Sequence, residues 1–121
     1  MPAAFQWPHP GNWCRGNWCR TPFLSPKKDI RIATARKAEG PYSPASRPFT
    51  PDWVEGPTAI KIGDTWYVYY DAYTRGRMEG ARSKDLKTWD PITNLLTFPP
   101  GIRHGTAFSV SPSILAALKA Q

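Results

Sequence analysis

The sequence lacks the features that mark membrane and secreted proteins. It contains no run of about 18 apolar residues, so no membrane-spanning helix and no membrane partner are expected. Its beginning lacks a basic stretch followed by an apolar core of about 7–15 residues, the pattern of a secretory signal. We therefore expect a cytoplasmic chain as the sequence stands, and a secreted or periplasmic location only for a longer parent with its own signal.

Cysteine and histidine are scarce, with two of each in 121 residues. Both cysteines, Cys14 and Cys19, lie in a tandem duplication of GNWCR. Structural zinc takes four ligands and its cysteine pairs are spaced more closely, so this repeat does not predict a metal site even with His9 as a third ligand. The duplication is either a disordered tail or an accident of the sequence.

Acidic residues are also few, because nine Asp and Glu stand against 16 Lys and Arg, a formal net charge of +7. A nucleic-acid interface concentrates basic residues on one patch or stripe. Here the basic residues are scattered, and the longest uninterrupted basic run is two residues. The charge therefore favours a generally solvated surface and no nucleic-acid partner.

Aromatic residues are abundant, with six Trp, five Tyr and five Phe. Aromatic and β-branched side chains are typical of strands, so the composition predicts a β-rich fold. Proline is frequent too, and five of the 14 prolines fall in the first 26 residues. Because proline interrupts regular structure, we expect residues 1–28 to form an irregular leader.

Alternating apolar and polar residues predict an antiparallel meander between residues 29 and 110. The predicted strands are residues 29–35, 58–62, 65–73, 76–83 and 106–110. Gly63 and Asp64 suit a two-residue hairpin. Both faces of strand 65–73 carry large side chains, which indicates a sheet covered on both sides, as in a sandwich or a propeller. Ser111 as N-cap before Pro112 predicts a short helical tail over residues 111–121.

The sequence thus predicts an all-β fold. A propeller blade has four strands in roughly 40–50 residues, so residues 29–110 have room for about two blades. We expect a partial β-propeller between the leader and the tail, with open sheet edges through which copies of the chain self-associate.

Five segments in order, GPY, WVEGP, YYDAY, SKDLKTW and RHG, resemble glycoside hydrolase family 43. Members of this family are five-bladed β-propellers that act mostly on arabinose- and xylose-containing polysaccharides and invert the anomeric centre. The resemblance covers about residues 29–110 and corresponds to the later blades only. It implies a carbohydrate partner, and the alternative is a non-catalytic carbohydrate-contacting or structural remnant of such a propeller.

The resemblance assigns roles to two residues. The EGP segment places the general acid at Glu55, and the RHG segment places His104 near the propeller axis, where it helps to hold a calcium or sodium ion or its waters. The two aspartates of the family, a general base and an orienting acid, have no counterpart upstream of residue 29. The resemblance therefore implies a fragment that needs no cofactor for the acid step and carries only part of the catalytic machinery.

The residues around Glu55 support the acid role on chemical grounds. A Glu that protonates a leaving group near neutral pH needs its pKa raised by burial or by a nearby negative charge. Trp53, Val54 and Pro57 give Glu55 an apolar setting, and the alternative is a loop Glu paired with an Arg.

Four further residues are candidates for substrate binding. Trp53 offers a flat aromatic face for a sugar ring, and Arg103 and His104 lie together in the loop before the last predicted strand. Asp71 ends the aromatic strand and either faces the same cleft or serves as a turn acceptor. For His104 the alternative is a hydrogen-bonded structural role.

Overall fold

A computed structural model of the chain describes residues 3–6 and 28–120, which form six strands, two short 3-10 turns and one helix. The strands and the helix are β1 (Ala3–Gln6), β2 (Arg31–Thr34), β3 (Glu55–Ile62), β4 (Thr65–Ala72), β5 (Arg77–Ser83), β6 (Asp90–Pro91) and α1 (Pro112–Lys119). The fold is therefore mostly β, as predicted. No helix in this part of the chain is long and apolar enough to cross a membrane.

The main unit is a four-stranded antiparallel sheet in the order β3-β4-β5-β6, and β1 pairs with β2 in a second, two-stranded sheet. Ile62 pairs with Thr65 across the hairpin, and Gly63 adopts a φ of 61°, which glycine tolerates without a steric penalty. The predicted Gly63–Asp64 hairpin and the strand over residues 76–83 are thus confirmed. The sheet has the strand number of one propeller blade.

The core lies on one face of β4, where Val68 and Tyr70 are buried against neighbours from β5 and from the segments before β3. The cluster comprises Ile30, Val54, Val68, Tyr70, Ala72 and Ala81. Phe49 and Trp89 stack with ring centroids 4.1 Å apart and pack against this cluster. Burial raises the pKa of the Tyr70 hydroxyl to about 12, so this phenol stays neutral.

The proline-rich segment before β3 follows β2 in an extended path without belonging to a sheet. Backbone amides of Ser43 and Ser46 donate to the carbonyls of Thr34 and Ile32 at 2.8 Å. The hydroxyls of the same two serines accept from the amides of Thr34 and Ile32. Serine side chains therefore satisfy donors of β2 where prolines interrupt a regular ladder.

Two parts of the predicted fold are wrong. Residues 3–6, expected within an irregular leader, form β1. Residues 106–110, expected as the last strand, are not in a strand, and Phe108 is 72% exposed because no sheet covers it. The rest of the leader, including the GNWCR duplication and His9, lies outside the described residues.

The predicted terminal helix is confirmed. The hydroxyl of Ser111 accepts from the amide of Ile114, and Pro112 occupies the first turn. All of its described residues are exposed, including Ile114, Leu115 and Leu118. The helix therefore rests on its own capping and local propensity, with no packed face against the sheet.

We expect the isolated chain to self-associate through β3, an edge strand that pairs with β4 on one side and presents Ile62 57% exposed. Sedimentation velocity should show species heavier than the monomer whose share rises with concentration. Ile62→Lys should reduce that share, because a charge on an edge strand opposes pairing. A monodisperse monomer that melts cooperatively would contradict this expectation.

Candidate functional site

The site forms where a β-bulge interrupts the β3–β4 ladder. Glu55 pairs with Asp71, and the register shifts between Glu55 and Thr58. Within this shift Gly56 adopts a φ of 56° and Pro57 lacks the amide that a regular ladder needs. Bulges re-aim side chains, and this one sets two carboxylates opposite each other at one end of the sheet.

Asp71 is the more deeply placed of the two acids. It is 0% exposed, and its Oδ2 accepts a 2.6 Å hydrogen bond from Nε of Arg103. Its Oδ1 is buried and has no hydrogen-bond partner in the described part of the chain. Asp71 was predicted to bind substrate, but its burial leaves no surface for a sugar to touch.

Glu55 is held from two sides. Its Oε2 accepts a 2.6 Å hydrogen bond from Nζ of Lys28, and its Oε1 lies 3.1 Å from Nε2 of His104. The Lys28 ammonium also lies 4.9 Å from the centroid of the Tyr73 ring, a cation–π contact that holds it in place. Three segments far apart in sequence therefore meet at this carboxylate.

The Lys28 hydrogen bond is the main reason why the pKa of Glu55 is lowered from its usual value of 4.5. Burial opposes this change, and the His104 hydrogen bond adds to it. The prediction that an apolar setting raises the pKa of Glu55 is therefore wrong. Glu55 is instead paired with a cation, as in the alternative prediction, although the partner is Lys28 and not an Arg. The pair keeps Glu55 ionised.

The ring of His104 lies directly over the backbone of Gly56. A Cβ atom at this glycine would come within 2.8 Å of Cγ and Cδ2 of His104, closer than real contacts allow. Only glycine both adopts this φ and leaves room for the ring. Gly56 of the EGP segment therefore leaves the space that lets the His104 ring lie beside Glu55.

Trp53 marks the outer rim of the site. It is 38% exposed and adopts a φ of 61°, which is uncommon for a residue with a large side chain. Its amide donates to the carbonyl of Lys28 at 2.7 Å, which fixes this conformation. Strained backbone of this kind concentrates at ligand-binding sites, and the proposed stacking of Trp53 on a sugar stays a prediction.

Sequence reasoning brought Glu55 and His104 to the same rim and missed Lys28. Nothing local marks Lys28, because it lies 27 residues before its partner in the sequence. Arg103 and His104 have side chains 59% and 56% exposed, so both remain accessible to a ligand.

Glu55, Asp71 and His104 each offer one ligand atom, and these atoms lie within 4.8 Å of one another. Calcium takes six to eight oxygen ligands, whereas this set has two carboxylates and an imidazole nitrogen. Both carboxylates are already bonded to cations. A calcium or sodium ion bound directly by these residues does not fit, and the water-mediated role expected for His104 stays a prediction.

Comparison with protein-family models, with curated proteins and with solved structures finds no match to this chain.

We predict that the Glu55 carboxyl titrates below pH 4.5 and that Lys28→Met raises its midpoint, since Lys28 is the largest cause of the lowered pKa. With a lowered folded-state pKa, the pair stabilises the fold above pH 4.5, and this contribution is lost as the pH falls through the lowered pKa. Carbon-detected NMR of the carboxyl measures the midpoint. Lys84→Met, which breaks the exposed pair with Asp64, should leave the midpoint unchanged.

We also predict that Gly56→Ala displaces His104 from Glu55, because the added methyl group would overlap the ring. Gly76→Ala is the matched control, since Gly76 has a φ of 65° and open space around it. Both changes should cost about 1–2 kcal/mol of backbone strain, measured by urea unfolding. Only Gly56→Ala should also abolish the nuclear Overhauser contact between residue 56 and the His104 ring. If this contact persists in Gly56→Ala, the space at Gly56 is not what positions His104.

Proposed function

We propose that this chain is the acid-bearing part of a glycoside hydrolase of the family 43 type, built as a partial five-bladed β-propeller. The complete enzyme would hydrolyse O-glycosidic bonds in arabinose- and xylose-containing oligo- and polysaccharides with inversion. Its partner is carbohydrate, and the proposal includes no nucleic acid, no membrane and no required cofactor.

The observation that supports this proposal most is the meeting of the EGP and RHG segments at one carboxylate. Glu55 and His104 lie 49 residues apart in sequence, and yet their polar atoms are 3.1 Å apart at the end of β3. Gly56 has the conformation and the space that this contact needs. A set of local motifs without a common role has no reason to converge in this way.

In the proposed mechanism Glu55 donates a proton to the oxygen of the leaving group. For this step the carboxyl group must be protonated, so Lys28 has to move away from Oε2 when the complete cleft and its substrate are in place. His104 would keep Oε1 fixed and so aim Oε2 at the glycosidic oxygen. Trp53 and Arg103 are exposed beside this position and would contact the sugar.

In this proposal the water-activating base is not Asp71, the carboxylate that lies opposite Glu55. Inverting glycosidases separate their two carboxyl groups by about 6.5–9.5 Å to leave room for water. Asp71 has an oxygen within 4.8 Å of Glu55 and is fully buried, so it offers neither the room nor the access. The base and the orienting aspartate of the proposed enzyme would therefore have to come from other blades.

A second candidate function is favoured by the Lys28–Glu55 ion pair. A carboxylate neutralised at 2.6 Å is suited to holding a structure together and unsuited to donating a proton. In that case the chain is a non-catalytic propeller remnant that contacts carbohydrate through Trp53 or serves as structure alone.

The deciding experiment assays the chain on aryl arabinofuranosides and xylosides, alone and after grafting the early blades of a complete relative in front of Lys28, so that the Lys28–Glu55 pair is kept. We expect the isolated chain to be inert, since each positioned acid or base contributes roughly 10²–10⁴-fold and the base is absent. The graft should be active, and Glu55→Gln should reduce its activity by about the same factor.

Lys84→Met provides a control that should leave the graft active, because Lys84 pairs with Asp64 on an exposed turn. Turnover by the isolated chain that survives Glu55→Gln would remove Glu55 from the mechanism. An inactive but folded graft that still binds arabino- or xylo-oligosaccharides would favour the second candidate.

A further inference from the structure

We infer that a cleft beside β5 binds the carboxylate group of a small cyclic ligand through Arg77. The cleft has a volume of about 490 Å³ and is lined by residues 49–51, by side chains of β4 and β5, and by Pro91 and Thr93. Its β4 residue, Tyr70, precedes Asp71, and neighbours in a strand point to opposite faces. The cleft is therefore separate from the Glu55 site, and the inference does not depend on the glycosidase proposal.

Two arginines share one buried carboxylate in the wall of this cleft. Oε1 of Glu79 accepts from Nε of Arg75 at 2.8 Å and from Nε of Arg77 at 3.0 Å, and Oε2 accepts from Nη2 of Arg75 at 3.1 Å. The Glu79 side chain is only 5% exposed. Two positive charges against one negative charge leave an excess of one positive charge, which favours an anion.

The excess charge belongs to Arg77. Arg75 is fully engaged, because its Nη1 also donates to the carbonyl of Asp52 at 3.1 Å. Arg77 is 60% exposed and bonds to Glu79 through Nε. Among the described residues, no hydrogen bond engages its Nη1 or Nη2. These two nitrogens form a planar fork of donors that matches the two oxygens of a carboxylate.

The other polar groups of the cleft are donors too. Oγ1 of Thr50 accepts from the amide of Ile30 at 3.0 Å, and Oγ1 of Thr93 accepts from the amide of Gly80 at 3.3 Å. A hydroxyl that accepts in this way keeps its own hydrogen to donate. Both threonines line the cleft, as does the neutral phenol of Tyr70. The cleft therefore suits a ligand that is rich in acceptors.

The shape of the lining narrows the class of ligand. Phe49, Pro51 and Pro91 give the cleft an apolar wall, against which a ring packs well. A carboxylate balances the single excess positive charge, whereas a doubly charged phosphate ester would exceed it. An aromatic acid and a sugar acid share this chemistry, and the choice between them is left to the experiment.

The test is NMR titration of the full chain with benzoate, with glucuronate and with inorganic phosphate. Benzyl alcohol and methyl glucoside serve as the neutral counterparts of the two acids. Amide shifts of Thr50, Glu79 and Thr93 locate the ligand, and their dependence on concentration gives the Kd. The variants are Arg77→Met, Arg77→Lys and, as the matched control, Arg82→Met.

Arg82 suits the control because it lies five residues further along the same strand and so points to the opposite face. It is 46% exposed, and its Nε lies 3.9 Å from Oδ2 of Asp90. Near-ultraviolet circular dichroism reports whether each variant is folded.

We expect at least one of the two carboxylates to bind in the cleft and its neutral counterpart to bind more weakly. Arg77→Met should weaken binding by about tenfold, the factor that a charge-assisted hydrogen bond contributes. Arg77→Lys keeps the charge and loses the fork, so we expect a smaller loss. Arg82→Met should leave the Kd unchanged. Binding of benzoate alone identifies an aromatic acid, and binding of glucuronate alone identifies a sugar acid.

Any one of several results overturns the inference. These are that neither carboxylate binds, that the shifts lie away from the cleft, or that the neutral counterpart binds as tightly as the acid. Phosphate that binds more tightly than both carboxylates contradicts the class of ligand. A folded Arg77→Met that binds as tightly as Arg82→Met removes Arg77 from the site. Should Arg77→Met fail to fold, Arg77→Lys decides, because it retains a cation beside Glu79, and unchanged binding then contradicts the inference.

Discussion

Two carboxylates face each other across the β3–β4 ladder, and their mutual repulsion has to be cancelled for this end of the sheet to exist. The bulge at Gly56 and Pro57 places Glu55 opposite Asp71. Like charges directly opposite each other destabilise a sheet. Cations from the segment before β2 and from the loop before α1 supply the compensation, so both segments are tied to the sheet by electrostatics as well as by packing.

The same solution recurs wherever this chain buries an acid. Glu79 is 4% exposed and is bonded by both Arg75 and Arg77, and Asp29 is 7% exposed and bonded by Arg31. A buried carboxylate without a partner costs several kcal/mol, so pairing is a condition of burial and not a surplus of stability. The abundant arginines of this basic chain are therefore partly structural.

The contact that assembles the site also opposes the chemistry proposed for it. Lys28 fixes Glu55 in place and keeps it ionised, whereas a general acid has to be protonated. A carboxylate that is held ionised by a lysine accepts hydrogen bonds better than it donates a proton. In the proposed mechanism Glu55 therefore acts as an acid only once Lys28 has left Oε2.

The sequence by itself determined the elements that rest on near neighbours. The Gly63–Asp64 hairpin, β5 and the Ser111-capped helix follow from turn chemistry, alternation and capping, which act over a few residues. The EGP and RHG segments were predicted to share one rim, and Glu55 and His104 do meet, with Oε1 and Nε2 3.1 Å apart. Only the tertiary structure decided that residues 3–6 pair with β2, that residues 106–110 stay outside a sheet, and that Lys28 neutralises Glu55. These outcomes depend on which distant segments meet. Contacts and ion pairs between distant segments produce no repeating pattern in the sequence, so alternation and turn residues do not predict them.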